Sequence, residues 1–174
     1  MTDSRTDSLV KELRYDWGTR VFGTITGHHL EITLDDVLGC VDHHCWPCAK
    51  YPYDRRALFL AAISDRDYMI SITDSAPHKY GTKHLVECAC AGVFNPADIA
   101  IPALVTFFDK KGMLDMITRF TSGNGLNAYG FSQHEGDKIA LVREQWKVPS
   151  RYDSGSGMVT PFLAGKVLPW RIAK

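Results

Sequence analysis

Apolar positions are sparse at the start of the chain. Residues 1–8, MTDSRTDS, are polar and predict a tail, and LVKELRYDW after them has the spacing of a short helix. RVFGTIT then offers Val21, Phe22 and Ile25 for a buried strand, and a long loop rich in His and Cys follows. Asp54 is placed to cap a helix through RRALFLAAIS, and YMISIT (68–73) is a second short apolar strand that stops at Asp74. Strand, loop, helix and strand in that order predict a parallel pair with a right-handed crossover. Polar residues just past each strand then gather at one rim of the sheet, where His28, His29, Asp74 and His78 would meet.

Downstream, Asn95 and Pro96 make a helix start for the apolar run that reaches Phe108, and Gly112 is its left-handed stop. Pro102 inside that helix predicts a kink. Met113, Met116, Ile117 and Phe120 suggest a further amphipathic helix, broken at SGNG (122–125). IALVREQWKV fits strand or helix on periodicity, with strand preferred. DSGSGMVTPFLAGKVLPWRIAK, punctuated by Gly and Pro, reads as a closing loop and edge strand.

Composition narrows the class without naming a function. The 174 residues are 45% hydrophobic and carry 20 basic and 20 acidic side chains, the balance of an ordinary globular chain. A net charge of zero shows no basic footprint for nucleic acid or an anionic membrane. The longest apolar runs fall well short of the roughly 20 residues that cross a bilayer, and the polar start has no signal-peptide core, so the expected location is the cytoplasm. An odd set of five cysteines, Cys40, Cys45, Cys48, Cys88 and Cys90, then favours reduced thiols over a disulfide framework.

Four constellations are candidates for chemistry. TDSAPH (73–78) puts Asp74 where a strand runs out, suited to binding a metal or moving a proton, although a cap or turn role fits the same position. ECACAGVFN (87–95) has small residues that let backbone approach a ligand, or else forms a tight turn with packed thiols. VDHHCWPC carries a Cys-x-x-Cys pair that, with Cys88 and Cys90, would make a zinc site, against the alternative of reduced loop thiols. His28 and His29 read either as rim ligands or as a packed strand-end histidine beside an exposed neighbour.

The order of TITGHHL, CWPCAKYPYDRRAL, TDSAPH, CACAGVFN, NGLNAYGF and VTPFLAG with a Trp near the end resembles the dihydroorotases of the single-function bacterial and fungal type. The resemblance covers the chain from about Gly18 onward and corresponds to the C-terminal part of that enzyme. It implies an α/β fold, the last two strands of a (β/α)8 barrel with C-terminal helices and a closing segment, as residues 20–174 behind a tail and short helix at 1–19. It implies a zinc-dependent cyclic amidohydrolase of pyrimidine synthesis that interconverts N-carbamoyl-L-aspartate and L-dihydroorotate. Asp74 matches the metal-binding carboxylate that also moves the proton. His78 and Ala91 match groups that hold the substrate carboxylate, and Trp46 falls where the family grips the pyrimidine ring through its main chain.

Val93 departs from a frequent cysteine and Leu126 from a frequent proline. The family's H-x-H motif, bridging lysine and two further metal-binding histidines would lie upstream, and nothing before Arg20 matches them. A full binuclear site is therefore not expected in this chain. The exposed parallel edges of an incomplete barrel predict self-association, a complementing chain, an N-terminal segment folded over the sheet, or low stability. A catalytically dead binding module and a small zinc-binding domain are the other readings.

Overall fold

The computed structural model describes residues 1–49, 51–64, 66–85, 91–132 and 138–173. Its first helix, α1 (Ser4–Trp17), begins inside the stretch expected to be a polar tail. The cause is local capping: the Asp3 carboxylate accepts from the backbone N–H groups of Arg5 and Thr6. Asp54 is also a cap, but of this helix rather than of its own, because its Oδ1 accepts from Ser4 N at 2.9 Å. A 50-residue separation hid that role from local sequence reading.

Strand β1 (Gly23–Thr26) pairs in parallel with β2 (Met69–Ile72), in the register Gly23–Met69 through Thr26–Ile72. Helix α4 (Pro52–Ala62) lies between them in sequence, with Pro52 at its first position, which needs no N–H. The expected strand–helix–strand unit is present. The expected long loop is not a loop: it holds α2 (Gly27–Glu31), α3 (Leu34–Gly39) and a 3-10 turn at Val41–His43. Thr33 and Asp36 form a reciprocal capping box at the start of α3. Helices of five and six residues are too short to show a period in sequence.

Helix α5 (Ala97–Lys110) runs through Pro102 and ends before Gly112, at φ 69°, as its pattern predicts. Beyond it the helical path is not broken at SGNG. It passes through a π turn (Arg119–Gly123) into α6 (Asn124–Tyr129). Tertiary contacts override the local signal there: the buried Asn124 donates to Met69 O at 2.8 Å and Arg66 O at 3.2 Å. Gly125 lies against β2, where an added Cβ would sit 3.4 Å from Ile70 Cγ2.

Short antiparallel pairs close the chain. They are β3 (Leu141–Val142) with β8 (Arg171–Ile172), β4 (Trp146–Lys147) with β7 (Val167–Leu168), and β5 (Tyr152–Asp153) with β6 (Met158–Val159). The main core joins α1, the β1–β2 sheet, α4 and α5 through Val10, Ile25, Leu58, Met69, Phe108 and Phe120. Phe108 and Phe120 stack at 5.8 Å. The Met1 ammonium donates to Thr24 O at 2.7 Å, so the chain start lies against β1.

Candidate functional site

The loops beyond β1 and β2 meet at one rim. After β2, Asp74 takes a left-handed φ of 47° and is exposed; Asp tolerates this region better than most residues. The next residues pair with 91–95: Ser75 bridges Val93, Ala76 N–H donates to Val93 O at 2.9 Å, and Asn95 N–H donates to Ser75 Oγ at 3.0 Å. Gly92, at φ 155°, permits this approach, since a Cβ there would lie 2.6 Å from the Ala76 Cβ. The His78 Nε2 is 3.4 Å from Ala91 O, so these two predicted substrate groups are neighbours.

Lys83, which sequence reading passed over, ties this turn to the preceding loop. Its ammonium donates to Asp42 O at 2.8 Å, His44 O at 3.1 Å and Gly92 O. Gly92 N–H adds a bond to His44 O at 2.9 Å. The predicted contacts Trp46 and Ala91 are thereby carried on loops stapled together, with Trp46 itself exposed. Burial pushes the Lys83 ammonium down from its usual range. No signal in the local sequence marks Lys83, because two of its acceptors lie about forty residues upstream.

The two histidines after β1 are both inside: His28 is 1% exposed and His29 4%. The expectation of an exposed neighbour fails because α2 turns back onto α4 and α5. His29 Nε2 lies 2.9 Å from Pro47 O and its Nδ1 2.6 Å from Thr26 Oγ1, which is also 3.3 Å from His28 Nε2. Burial, then neighbouring His29, His43 and Lys83, push His28 down to about 3, so the ring is neutral. Burial likewise lowers His29 and His43.

Burial, with Cys48 close by, pushes the Cys45 thiol up to about 11. Among the described residues, one group of three metal-capable side chains is present, His28, His29 and Cys45, and it includes neither Asp74 nor His78. The described donors therefore do not fit a binuclear zinc centre built on Asp74. Cys88 and Cys90, invoked for a four-cysteine site, lie outside the described residues.

A cavity of about 620 Å³ is lined by Ser71, Ile72 and Thr73 of the β2 segment, by Asn95, and by Leu104 and Ile117. Among the described residues, no helix is long and apolar enough to cross a membrane.

These features define an α/β chain of the kind found in the TIM-barrel dihydroorotases, with its candidate residues in the segments beyond two parallel strands. The chain is a dihydroorotase relative and corresponds to the C-terminal portion of the longer enzyme. It is 32% identical to the dihydroorotase of Saccharomyces cerevisiae over 170 residues, 95% of this chain and 46% of that one. With the dihydroorotase of Novosphingobium aromaticivorans it shares 40% over 161 residues, 90% of this chain and 45% of the relative.

The chain thus spans less than half the length of the curated relatives it matches. The crystal structure of the S. cerevisiae dihydroorotase in complex with 5-fluoroorotic acid superposes with a TM-score of 0.89 at 30% identity, over 99% of this chain and 50% of that one. A dihydroorotase from Campylobacter jejuni gives a TM-score of 0.83 at 31% identity, over 100% and 48% of the two chains. An inactive dihydroorotase-like domain of a multifunctional protein from Chaetomium thermophilum shares the fold, with a TM-score of 0.67 at 20% identity over 98% of this chain and 45% of that one. No family model matches.

Proposed function

We propose that this chain supplies the substrate-side part of a dihydroorotase site, acting on L-dihydroorotate or N-carbamoyl-L-aspartate, and that it does not turn over alone. In this reading residues 20–174 are the last two strands of a (β/α)8 barrel with their helices and closing segment, and 1–19 are an appended N-terminal segment. Asp74 would contribute one carboxylate to a metal centre completed by other ligands and would move the proton between the attacking water and the ring nitrogen. His78 and the Ala91 main chain hold the substrate carboxylate, and the Trp46 main chain holds the ring. The single observation that carries this is the stapled rim, where His78 meets Ala91 O beside the Asp74 turn.

The further metal ligands and strands would come from a complementing polypeptide. The three consecutive residues Ser71, Ile72 and Thr73 open into the 620 Å³ groove, which leaves a place beside β2 for an added strand. The Met1 contact to Thr24 O covers part of β1 instead.

The test is calorimetric binding of L-dihydroorotate to the purified chain, with hydrolysis assayed in added zinc. The reading expects weak binding that falls at least about tenfold in His78→Ala, with no turnover. Binding insensitive to both His78→Ala and Asp74→Ala would sink it. Binding that stays the same when a metal-bearing partner is supplied, still without turnover, would favour a regulatory binding module.

A further inference from the structure

The buried group His28, His29 and Cys45 has no part in the proposed chemistry. One ring nitrogen of each histidine and the Cys45 sulfur all lie within 4.8 Å of one another. All three residues are buried, the sulfur-bearing residue at 4% exposure. Adjacent residues of a short helix would ordinarily diverge, yet the two rings here converge with centroids 4.4 Å apart.

The hydrogen bonds fix which ring atoms carry protons. Pro47 O only accepts, so His29 Nε2 is its N–H donor, and the neutral ring keeps its lone pair on Nδ1. Thr26 Oγ1, at 2.6 Å, must then donate to His29 Nδ1, and its oxygen accepts from the N–H of His28 Nε2 at 3.3 Å. This chain of donors leaves the lone pair of His28 on Nδ1, a buried nitrogen without a hydrogen-bond partner. An orphaned acceptor inside a protein is costly unless something occupies it.

The Nε2 atoms of both rings are already oriented, by Thr26 for His28 and by Pro47 O for His29. Outer hydrogen bonds of this kind orient metal-binding imidazoles.

We propose that His28, His29 and Cys45 bind a single borderline-soft cation, with zinc as the probe that fits them best. Two neutral imidazoles and one thiolate make an N₂S set, and a fourth position stays open. On binding, the Cys45 thiol loses its proton to solvent and the sulfur takes the cation. The Thr26 hydroxyl gives up the His29 lone pair and turns to another acceptor.

Bonds of about 2.0–2.3 Å draw the three ligand atoms closer than they stand in the empty group. The charges facing the site oppose one another: the Met1 ammonium and then Asp74 act on His29, His43 and the Lys83 ammonium act on His28, and Cys48, Lys83 and Asp74 act on Cys45. The group is separate from the two-zinc centre that the resemblance implies, because it does not include Asp74, the carboxylate the resemblance gives to that centre.

The test uses the full chain without substrate. Cobalt titration should give one equivalent with a thiolate-to-cobalt band, and X-ray absorption of the zinc-loaded chain should count one sulfur and two imidazoles. Cys45→Ser should remove the sulfur band, and His28→Gln should weaken uptake at least about tenfold at unchanged circular dichroism. A Cys88→Ser, Cys90→Ser double variant should bind as the parent does. Affinity should rise about tenfold per pH unit through the release of one proton.

An all-sulfur shell, loss of binding in the Cys88 and Cys90 double variant, or no stoichiometric uptake would overturn the proposal. The ligand count on the parent chain decides the matter even if the His28 variant misfolds. Because no turnover is read, the outcome is independent of the dihydroorotase reading.

Discussion

The rim beyond the two strands and the side of β2 are built differently. At the rim, backbone and side-chain bonds join the turn after β2, the segment 91–95 and the 42–44 loop, with Lys83 at their centre. Along β2, Ile72 is 39% exposed and the strand opens into a groove. The rim is therefore held together within the chain, while among the described residues the parallel sheet beneath it has two strands. A precise rim on an open scaffold suits a part that works after completion, and it separates mutations that damage the rim from mutations that only prevent assembly.

The largest expected effect at the rim is from Gly92→Ala. The new Cβ meets the Ala76 Cβ at 2.6 Å in a backbone conformation that side chains rarely adopt. A loss of about 3 kcal/mol in urea unfolding is expected, and an unchanged midpoint would show that the rim is not packed as described. Lys83→Met should cost about 2 kcal/mol, since three carbonyls lose a charged donor. Amide exchange at Gly92 should accelerate with it, and exchange confined to parent rates would refute the staple.

Acid acts through the buried His28, and its effect is spread over several pH units. His28 is depressed to about 3 in the folded chain against an unfolded value of about 6.5. The unfolded chain thus takes up a proton first, so stability is full above about pH 6.5 and falls as pH drops toward 3, by up to about 1.4 kcal/mol per unit. Urea midpoints measured across that range check the direction, and His28→Gln should flatten the slope. The smallest effect on the isolated chain is from Ile72→Lys, within about 0.5 kcal/mol, because the side chain is already partly in water. The same change should abolish docking at the β2 edge, read by sedimentation with a complementing polypeptide.

Much of the scaffold is legible in the sequence because its signals are local and long enough. β2 ends at Ile72, two residues before Asp74, α5 runs from a Pro start to a Gly stop, and the strand–helix–strand order fixes the parallel pair. The order of TITGHHL, TDSAPH and CACAGVFN carried the family. The short helices α2 and α3 were hidden because they complete barely more than a turn. SGNG looked like a break because its compensation, the bonds from Asn124 to Met69 O and Arg66 O, comes from 55 or more residues away. The meeting of Cys45 with His28 and His29, and the reach of Lys83, are also products of folding rather than of spacing. The sequence assigned Cys45 to other cysteines and the histidines to Asp74.

The most direct measurement is L-dihydroorotate hydrolysis in added zinc by this chain mixed with a separately made N-terminal half of the S. cerevisiae dihydroorotase, a relative at 32% identity. The account predicts no turnover by either part alone, turnover on mixing, and its loss when Asp74→Ala is introduced. Turnover by the isolated chain, or turnover in the mixture that survives Asp74→Ala, would contradict it.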